Sequence, residues 1–77
     1  MTDRVHREAL ESIRRNAGGN CSFDKRMGRV VCGRAIIPLA TFFALRNQGL
    51  IMFFGDTGYE EVWMLSGKGE RYLTERT

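Results

Sequence analysis

The sequence predicts a small α+β domain with a helix at each end and a β-hairpin in the C-terminal half. Apolar residues recur at helical spacing near the N-terminus until two glycines interrupt them. Further along the chain, β-branched and aromatic residues stand between turn residues, which is typical of short strands. Because 77 residues make one domain with a marginal core, we expect a single domain over 1–77 that gains stability from a partner or a second copy.

The first helix is predicted over residues 3–17, where the apolar residues fall on one stripe. Asp3 and Arg7 are four residues apart with the acid on the N-terminal side, and so are Glu11 and Arg15. That orientation stabilises an exposed helix face by about 0.2–0.5 kcal/mol per pair. We therefore expect these two ion pairs on the solvent side of the helix.

The segment 21–37 admits two interpretations. Several of its apolar residues fit a helical period, whereas Gly28, Gly33 and a run of β-branched residues favour extended structure. We expect the extended form, with short strands at 29–32 and 35–37 around a Gly33-Arg34 turn. The alternative is one helix that ends at Gly33.

The second half of the chain is predicted to form a helix from Pro38 to Gln48, strands at 50–54 and 60–65, and a helix from about 67 to 75. Pro38 suits the first turn of a helix because its missing N–H needs no partner there. Gly49 is the expected stop of that helix, and Ser66 is the expected N-cap of the last one. The turn-rich loop 55–59 joins the two strands into a hairpin.

Two motifs in this half carry a family resemblance. The first is Leu45-Arg46-Asn47-Gln48-Gly49-Leu50-Ile51, and the second is Trp63-Met64-Leu65-Ser66-Gly67-Lys68-Gly69 followed by Tyr72-Leu73. The first resembles the junction between recognition helix and wing in bacterial winged helix-turn-helix domains. The second is similar to their aromatic-x-Leu-Thr-x-x-Gly motif, with Ser66 for Thr. The resemblance covers about 38–74, and the chain departs from the family upstream, where the family has a second helix.

The resemblance implies a small winged-helix-like domain that binds double-stranded DNA as a homodimer and regulates transcription. The residues that would contact base edges lie in and beside the predicted recognition helix: Arg34, Thr41, Arg46, Asn47 and Gln48. The residues that would contact phosphates lie upstream: Lys25, Arg26 and Arg29.

The distribution of charge is compatible with a nucleic-acid partner and equally with an ordinary solvated surface. The net charge is +3, and residues 18–52 hold five basic residues against one acidic residue. Residues 53–77 hold five acidic residues against three basic ones. No basic residue stands between Phe53 and Leu65, so the predicted hairpin loop should be repelled by phosphate.

The alternative function is a protein-interaction module, such as a small inhibitor or adaptor of the kind that phages and mobile elements encode. Both faces of the predicted hairpin are largely apolar, so either the terminal helices cover it or it exposes an interface patch. Trp63 is expected in the core. The candidate interface residues are Met52, Phe53, Phe54, Asp56, Tyr59, Glu60 and Glu61.

Other classes of function lack the residues that they require. His6 is the sole histidine, and Cys21 and Cys32 lack the paired spacing of a zinc site, so we expect no enzyme activity, no metal and no cofactor. The apolar stretch 35–55 carries Arg46 at its centre, which argues against a membrane span. With no apolar leader after Met1, we expect a cytoplasmic protein with reduced cysteines.

Overall fold

A computed structural model describes residues 2–16 and 19–75 of the chain. Within them, three helices pack on one face of a five-stranded antiparallel sheet, which confirms the predicted α+β class. The elements are α1 (Thr2–Arg15), β1 (Asn20–Asp24), β2 (Arg29–Cys32), β3 (Ala35–Ile37), α2 (Leu39–Asn47), β4 (Ile51–Asp56), β5 (Glu60–Leu65) and α3 (Gly67–Glu75). The strand order is β3-β2-β1-β5-β4, so β1 is central and β3 and β4 are the edges.

Helix α1 is amphipathic as predicted, but its ion pairs differ from those expected. Arg7 pairs with Glu11 at 4.0 Å, so Glu11 does not pair with Arg15, and Arg4 pairs with Glu8 at 3.4 Å. Arg7 takes this position because its guanidinium also stacks over the ring of Tyr72, 5.7 Å from the centroid. The structure does not describe the side chain of Asp3, so the predicted pair of Asp3 with Arg7 lies outside the described part of the chain. The predicted helix end at Ala17 also lies outside the described residues.

Segment 21–37 is extended, and the predicted hairpin around Gly33-Arg34 is confirmed with the expected strand bounds. Gly28 and Gly33 have φ angles of +64° and +63°, which interrupt any helix at these positions. The same segment also contributes β1, which pairs with β2 on one side and with β5 on the other.

Helix α2 begins one residue later than predicted, because Pro38 is its N-cap with an extended ψ of 142°. It ends at Asn47, and Gly49 turns the chain with a φ of +75°. The amide of Leu50 donates to the carbonyl of Leu45 at 3.0 Å, which closes the helix end before β4 begins.

The β4–β5 hairpin is built into the sheet. Strand β5 pairs with β1 from Asn20↔Met64 to Asp24↔Glu60, while β4 lies outside it as an edge strand. Ser66 caps α3 as predicted: its hydroxyl accepts a hydrogen bond from the amide of Gly69 at 3.1 Å and donates one to the carbonyl of Gly49 at 2.6 Å.

The core lies between the helices and one face of the sheet. Its buried residues are Ala9, Leu10, Ile13, Cys21, Val30, Cys32, Ile37, Phe42, Leu45, Leu50, Ile51, Leu65 and Leu73. Trp63 packs against this core but stays partly exposed. No helix among the described residues is long and apolar enough to cross a membrane.

Candidate interaction surfaces

Strand β4 exposes three consecutive large apolar side chains. Met52, Phe53 and Phe54 have 48, 50 and 68 % of their surface accessible, and together we call them the β4 edge. The helices therefore cover only part of the hairpin, where Ile51 and Leu65 are buried, and they leave the β4 edge exposed. Of the two outcomes expected from the sequence, the exposed patch is the one observed at these three residues. Because β4 pairs with β5 alone, one side of its backbone is also unpaired among the described strands.

Phe53 is held from beneath by a chain of aromatic contacts that reaches the core. Its ring meets Trp63 edge to face, with centroids 5.6 Å apart, and Trp63 meets the buried Phe42 edge to face at 5.5 Å. The indole N–H of Trp63 donates to a carboxylate oxygen of Glu61 at 3.1 Å. These contacts fix the exposed ring of Phe53 on a rigid base.

Phe54 occupies a β-bulge. Phe53 pairs with Trp63 and Gly55 pairs with Val62, so Phe54 is the additional residue and has no partner on β5. A bulge interrupts the regular spacing of an edge strand and opposes indiscriminate pairing with other strands. The β4 edge thus presents side chains to a partner more readily than a continuous backbone ladder.

The tip of the β4–β5 hairpin is bound to the β1–β2 turn. Lys25 forms an ion pair with Asp56 at 2.9 Å, Arg26 stacks over the ring of Tyr59 at 5.9 Å, and the amide of Lys25 donates to the carbonyl of Tyr59. The hydrogen bond from Lys25, together with one from the amide of Gly58, lowers the pKa of Asp56.

This arrangement changes the expected charge of the hairpin loop. The loop does have basic neighbours, which come from a distant part of the sequence and reduce its negative charge. Lys25 and Arg26, the residues expected to contact phosphates, contact Asp56 and Tyr59 within the chain, and both remain exposed. Glu60 and Glu61 stay partly exposed beside them.

The remaining candidates for DNA contact do not converge on one surface. Thr41 is buried, with 9 % of its surface accessible, because it lies on the core side of α2; it therefore cannot reach a base edge. Arg46 stacks over Phe43 at 4.8 Å, beside the exposed Asn47 and Gln48. Arg34 lies in the β2–β3 turn, at the opposite end of β2 from Lys25 and Arg26.

A second apolar surface lies on the face of the sheet away from the helices, which we call the outer face. Its middle row runs across all five strands as Ile36, Val31, Ser22, Val62 and Gly55. Ile36 is 63 % accessible, and Val31 and Val62 are half-buried. The sequence signal for this face is the alternation of Val30, Val31 and Cys32 on a strand, which places Val31 opposite the core.

The two cysteines are free and buried side by side on β1 and β2. Burial raises the pKa of Cys21 to about 12, with a smaller contribution from Cys32, whose own pKa burial also raises. The thiol of Cys32 donates to the carbonyl of Ser12 at 3.0 Å. No cluster of three or more metal-ligating side chains occurs in the described part of the chain.

No protein-family model, curated protein or solved structure matches this chain.

Proposed function

We propose that the protein is a small protein-interaction module that binds a partner protein through its β4 edge. The observation that carries the proposal is the exposure of three consecutive large apolar side chains, Met52, Phe53 and Phe54, on an edge strand. Exposed apolar patches of this kind mark interaction sites in soluble domains. Aromatic side chains held rigidly, as Phe53 is by Trp63, are the residues that most often dominate binding energy.

The surroundings of the β4 edge support the same proposal. Tyr59 is 66 % accessible and lies on the same hairpin, and Glu60 and Glu61 supply carboxylates next to the apolar residues. An apolar centre with a charged rim is the usual anatomy of a specific protein interface. The partner surface that fits it is an apolar groove with basic residues at its margin.

A photo-cross-linking experiment tests this proposal. A photoreactive phenylalanine replaces Phe54 in the protein expressed in its native cells, and the control carries it at Arg71, which is exposed on α3. We expect one adduct of defined mass from position 54, lost when Phe53→Ser is added, and no such adduct from position 71. Equal adducts from both positions, or none from position 54, contradict the proposal.

DNA binding is the second candidate, favoured by the exposure of Arg46, Asn47 and Gln48 in sequence at the end of α2. These residue types pair with base edges and phosphates. Three observations weigh against it. First, Thr41 is buried. Second, the strands β1, β2 and β3 occupy the part of the chain where the winged-helix family has its second helix. Third, Arg46 to Gln48 lie at a helix C-terminus, whose partial negative charge disfavours phosphate.

A duplex-DNA titration at about 50 and about 200 mM salt separates the two candidates. Under the DNA hypothesis, binding is micromolar or tighter, falls steeply with salt, and is weakened by Arg46→Ala with a shallower salt slope. Under the protein-interaction proposal, the folded protein does not bind the duplex at either salt concentration. Binding that persists in Arg46→Ala contradicts a role for the α2 end in DNA recognition.

A further inference from the structure

The outer face of the sheet has a pattern that matches itself under a twofold rotation. Strand β1 is central, with β2 and β3 on one side and β5 and β4 on the other. A twofold axis parallel to β1, placed between two stacked sheets, sets β2 over β5 of the second copy and β3 over β4 of the second copy. We propose that two copies of this chain associate face to face through the outer face about this axis.

The middle row of the outer face is complementary to itself in shape. Ile36 protrudes from the sheet at the β3 edge, and Gly55 stands at the same level on the β4 edge. A Cβ built on Gly55 meets nothing within 4 Å, so the sheet surface is open directly above this residue. The axis puts Ile36 of each copy over Gly55 of the other, Val31 over Val62, and the small Ser22 over its own counterpart.

Two charged residues at one end of the outer face are complementary to each other across the axis. Arg29 and Glu60 both pair with Asp24, one from each side, so they lie at equal distances from β1. Asp24 itself lies over its own counterpart, and its Oδ1 accepts hydrogen bonds from the amides of Arg26 and Met27 in the β1–β2 turn. Neither Arg29 nor Glu60 forms an ion pair within 4 Å among the described residues.

The proposed axis brings these two unpaired charges together twice, because Arg29 of each copy faces Glu60 of the other. A twofold axis perpendicular to the strands would instead set Glu60 over Met64 and Asp24 over Asn20, so Arg29 and Glu60 would not meet. Burying the Glu60 carboxylate against a thioether without a partner is unfavourable. The pattern of the face therefore selects the axis parallel to β1.

The size of the outer face sets the strength of the association. Five strands about 4.8 Å apart and about 16 Å long give a flat area of about 380 Å² per copy, or about 760 Å² in total, which is the size of weak, transient interfaces. Sheets stacked in this way lie about 10 Å apart with strands within about 30° of each other. We therefore expect a weak, reversible dimer.

Charge exchange provides the test, measured by sedimentation velocity from about 5 to about 500 µM protein. Arg29→Glu and Glu60→Arg each place like charges on both sides of the twofold axis, and each should weaken the dimer at least tenfold. The double variant Arg29→Glu/Glu60→Arg restores both pairs and should return the dissociation constant to within about threefold of the original. Ile36→Ser, at the protruding position, should weaken the dimer without altering charge.

Phe53→Ser is the matched control, because Phe53 shares a row with Trp63 and the buried Cys21 and therefore lies on the opposite face of the sheet. We expect this variant to dimerise as the original chain does. A chain that remains monomeric at about 500 µM overturns the proposal. So does a dimer that Phe53→Ser abolishes and the Arg29 and Glu60 variants leave unchanged, since that result assigns association to the β4 edge. The dimer proposal rests on the outer face, which shares Met52 with the β4 edge and Glu60 with its charged rim.

Discussion

Gly69 determines how closely α3 approaches the start of β4. A Cβ built at this position overlaps the carbonyl oxygen of Leu50 and lies 3.2 Å from a methyl group of Leu65. The obstacle is a backbone atom, the Leu50 carbonyl oxygen. It is held in place because it accepts a hydrogen bond from the amide of Ser66. Glycine is unfavourable in a helix, but at position 69 it permits this close contact.

Gly69→Ala should therefore destabilise the protein by more than about 2 kcal/mol, because α3 must move away from β4. Gly67→Ala is the matched control in the same helical turn, where the nearest atom is the flexible end of Arg71 at 3.7 Å. It should be neutral or stabilising by up to about 1 kcal/mol. Chemical denaturation of both variants measures the difference, and equal effects would refute the close contact.

Cys21 should make the stability of the protein fall in alkaline solution. Its pKa is raised by burial to about 12, whereas the unfolded chain releases the thiol proton near 9. Between these values the unfolded state binds fewer protons, so the free energy of unfolding decreases as pH rises, by at most about 1.4 kcal/mol per pH unit for this group. Stability below pH 9 is unaffected by this thiol.

The measurement is urea denaturation between pH 8.5 and pH 11, within the interval set by those pKa values. Cys21→Ala should flatten the alkaline decline, whatever the stability lost at neutral pH through the smaller side chain. The two proteins are compared by the slope of the free energy of unfolding against pH, not by its absolute value. An alkaline decline of equal slope in both proteins would show that other groups cause it.

At the scale of elements, local sequence predicts most of the fold. Local features mark the boundaries of the elements: backbone conformation at the glycines 28, 33 and 49, and a hydrogen bond at the N-cap Ser66. The boundaries predicted from them agree with the structure to within one or two residues. Such features are local, so the sequence contains them directly.

What the sequence does not predict depends on contacts between distant residues. The pairing of β1 with β5 joins positions about 40 residues apart, and neither strand specifies its partner by composition. Helix α2 is apolar on nearly all sides, so its pattern does not reveal that Thr41 faces the core. The ion pair of Lys25 and Asp56 forms because the sheet order brings the β1–β2 turn next to the hairpin tip, so the sequence does not predict it either.

That ion pair yields a prediction about the hairpin tip. Lys25→Ala should raise the pKa of Asp56 towards its ordinary value, because the hydrogen bond from Lys25 is the largest cause of its lowering. The stabilisation from the pair is present above the ordinary aspartate pKa and is lost as pH falls through the lowered one. The effect on stability at neutral pH should be small, since both side chains are well exposed.

Carbon-detected NMR titration of the Asp56 carboxyl measures this pKa in both proteins. Lys68→Ala is the control, because Lys68 is an exposed lysine on α3 that takes no part in the pair. It should leave the pKa of Asp56 unchanged. If Lys25→Ala also leaves it unchanged, the tip of the hairpin is not bound to the β1–β2 turn in solution.

At the scale of the whole molecule, the strand order makes a prediction that separates this sheet from a winged-helix arrangement. In the winged-helix family that the sequence resembles, the two C-terminal strands form a hairpin wing next to the recognition helix. Here β5 lies inside the sheet between β1 and β4, and β1 is paired along both sides. Amides in paired, central strands exchange only when the domain unfolds globally.

Hydrogen exchange followed by NMR should therefore give the slowest rates at β1 and at the amides of β5 that bond to it, such as those around Cys21 and Trp63. Rates should be faster at the three-residue edge strand β3, and faster again at β4 amides on the side without a partner strand. Face-to-face dimerisation stabilises the domain without adding backbone hydrogen bonds, so it should slow all of the globally exchanging amides together and preserve this order. If β5 exchanges faster than α2, the hairpin stands free of β1 and the five-stranded sheet is wrong.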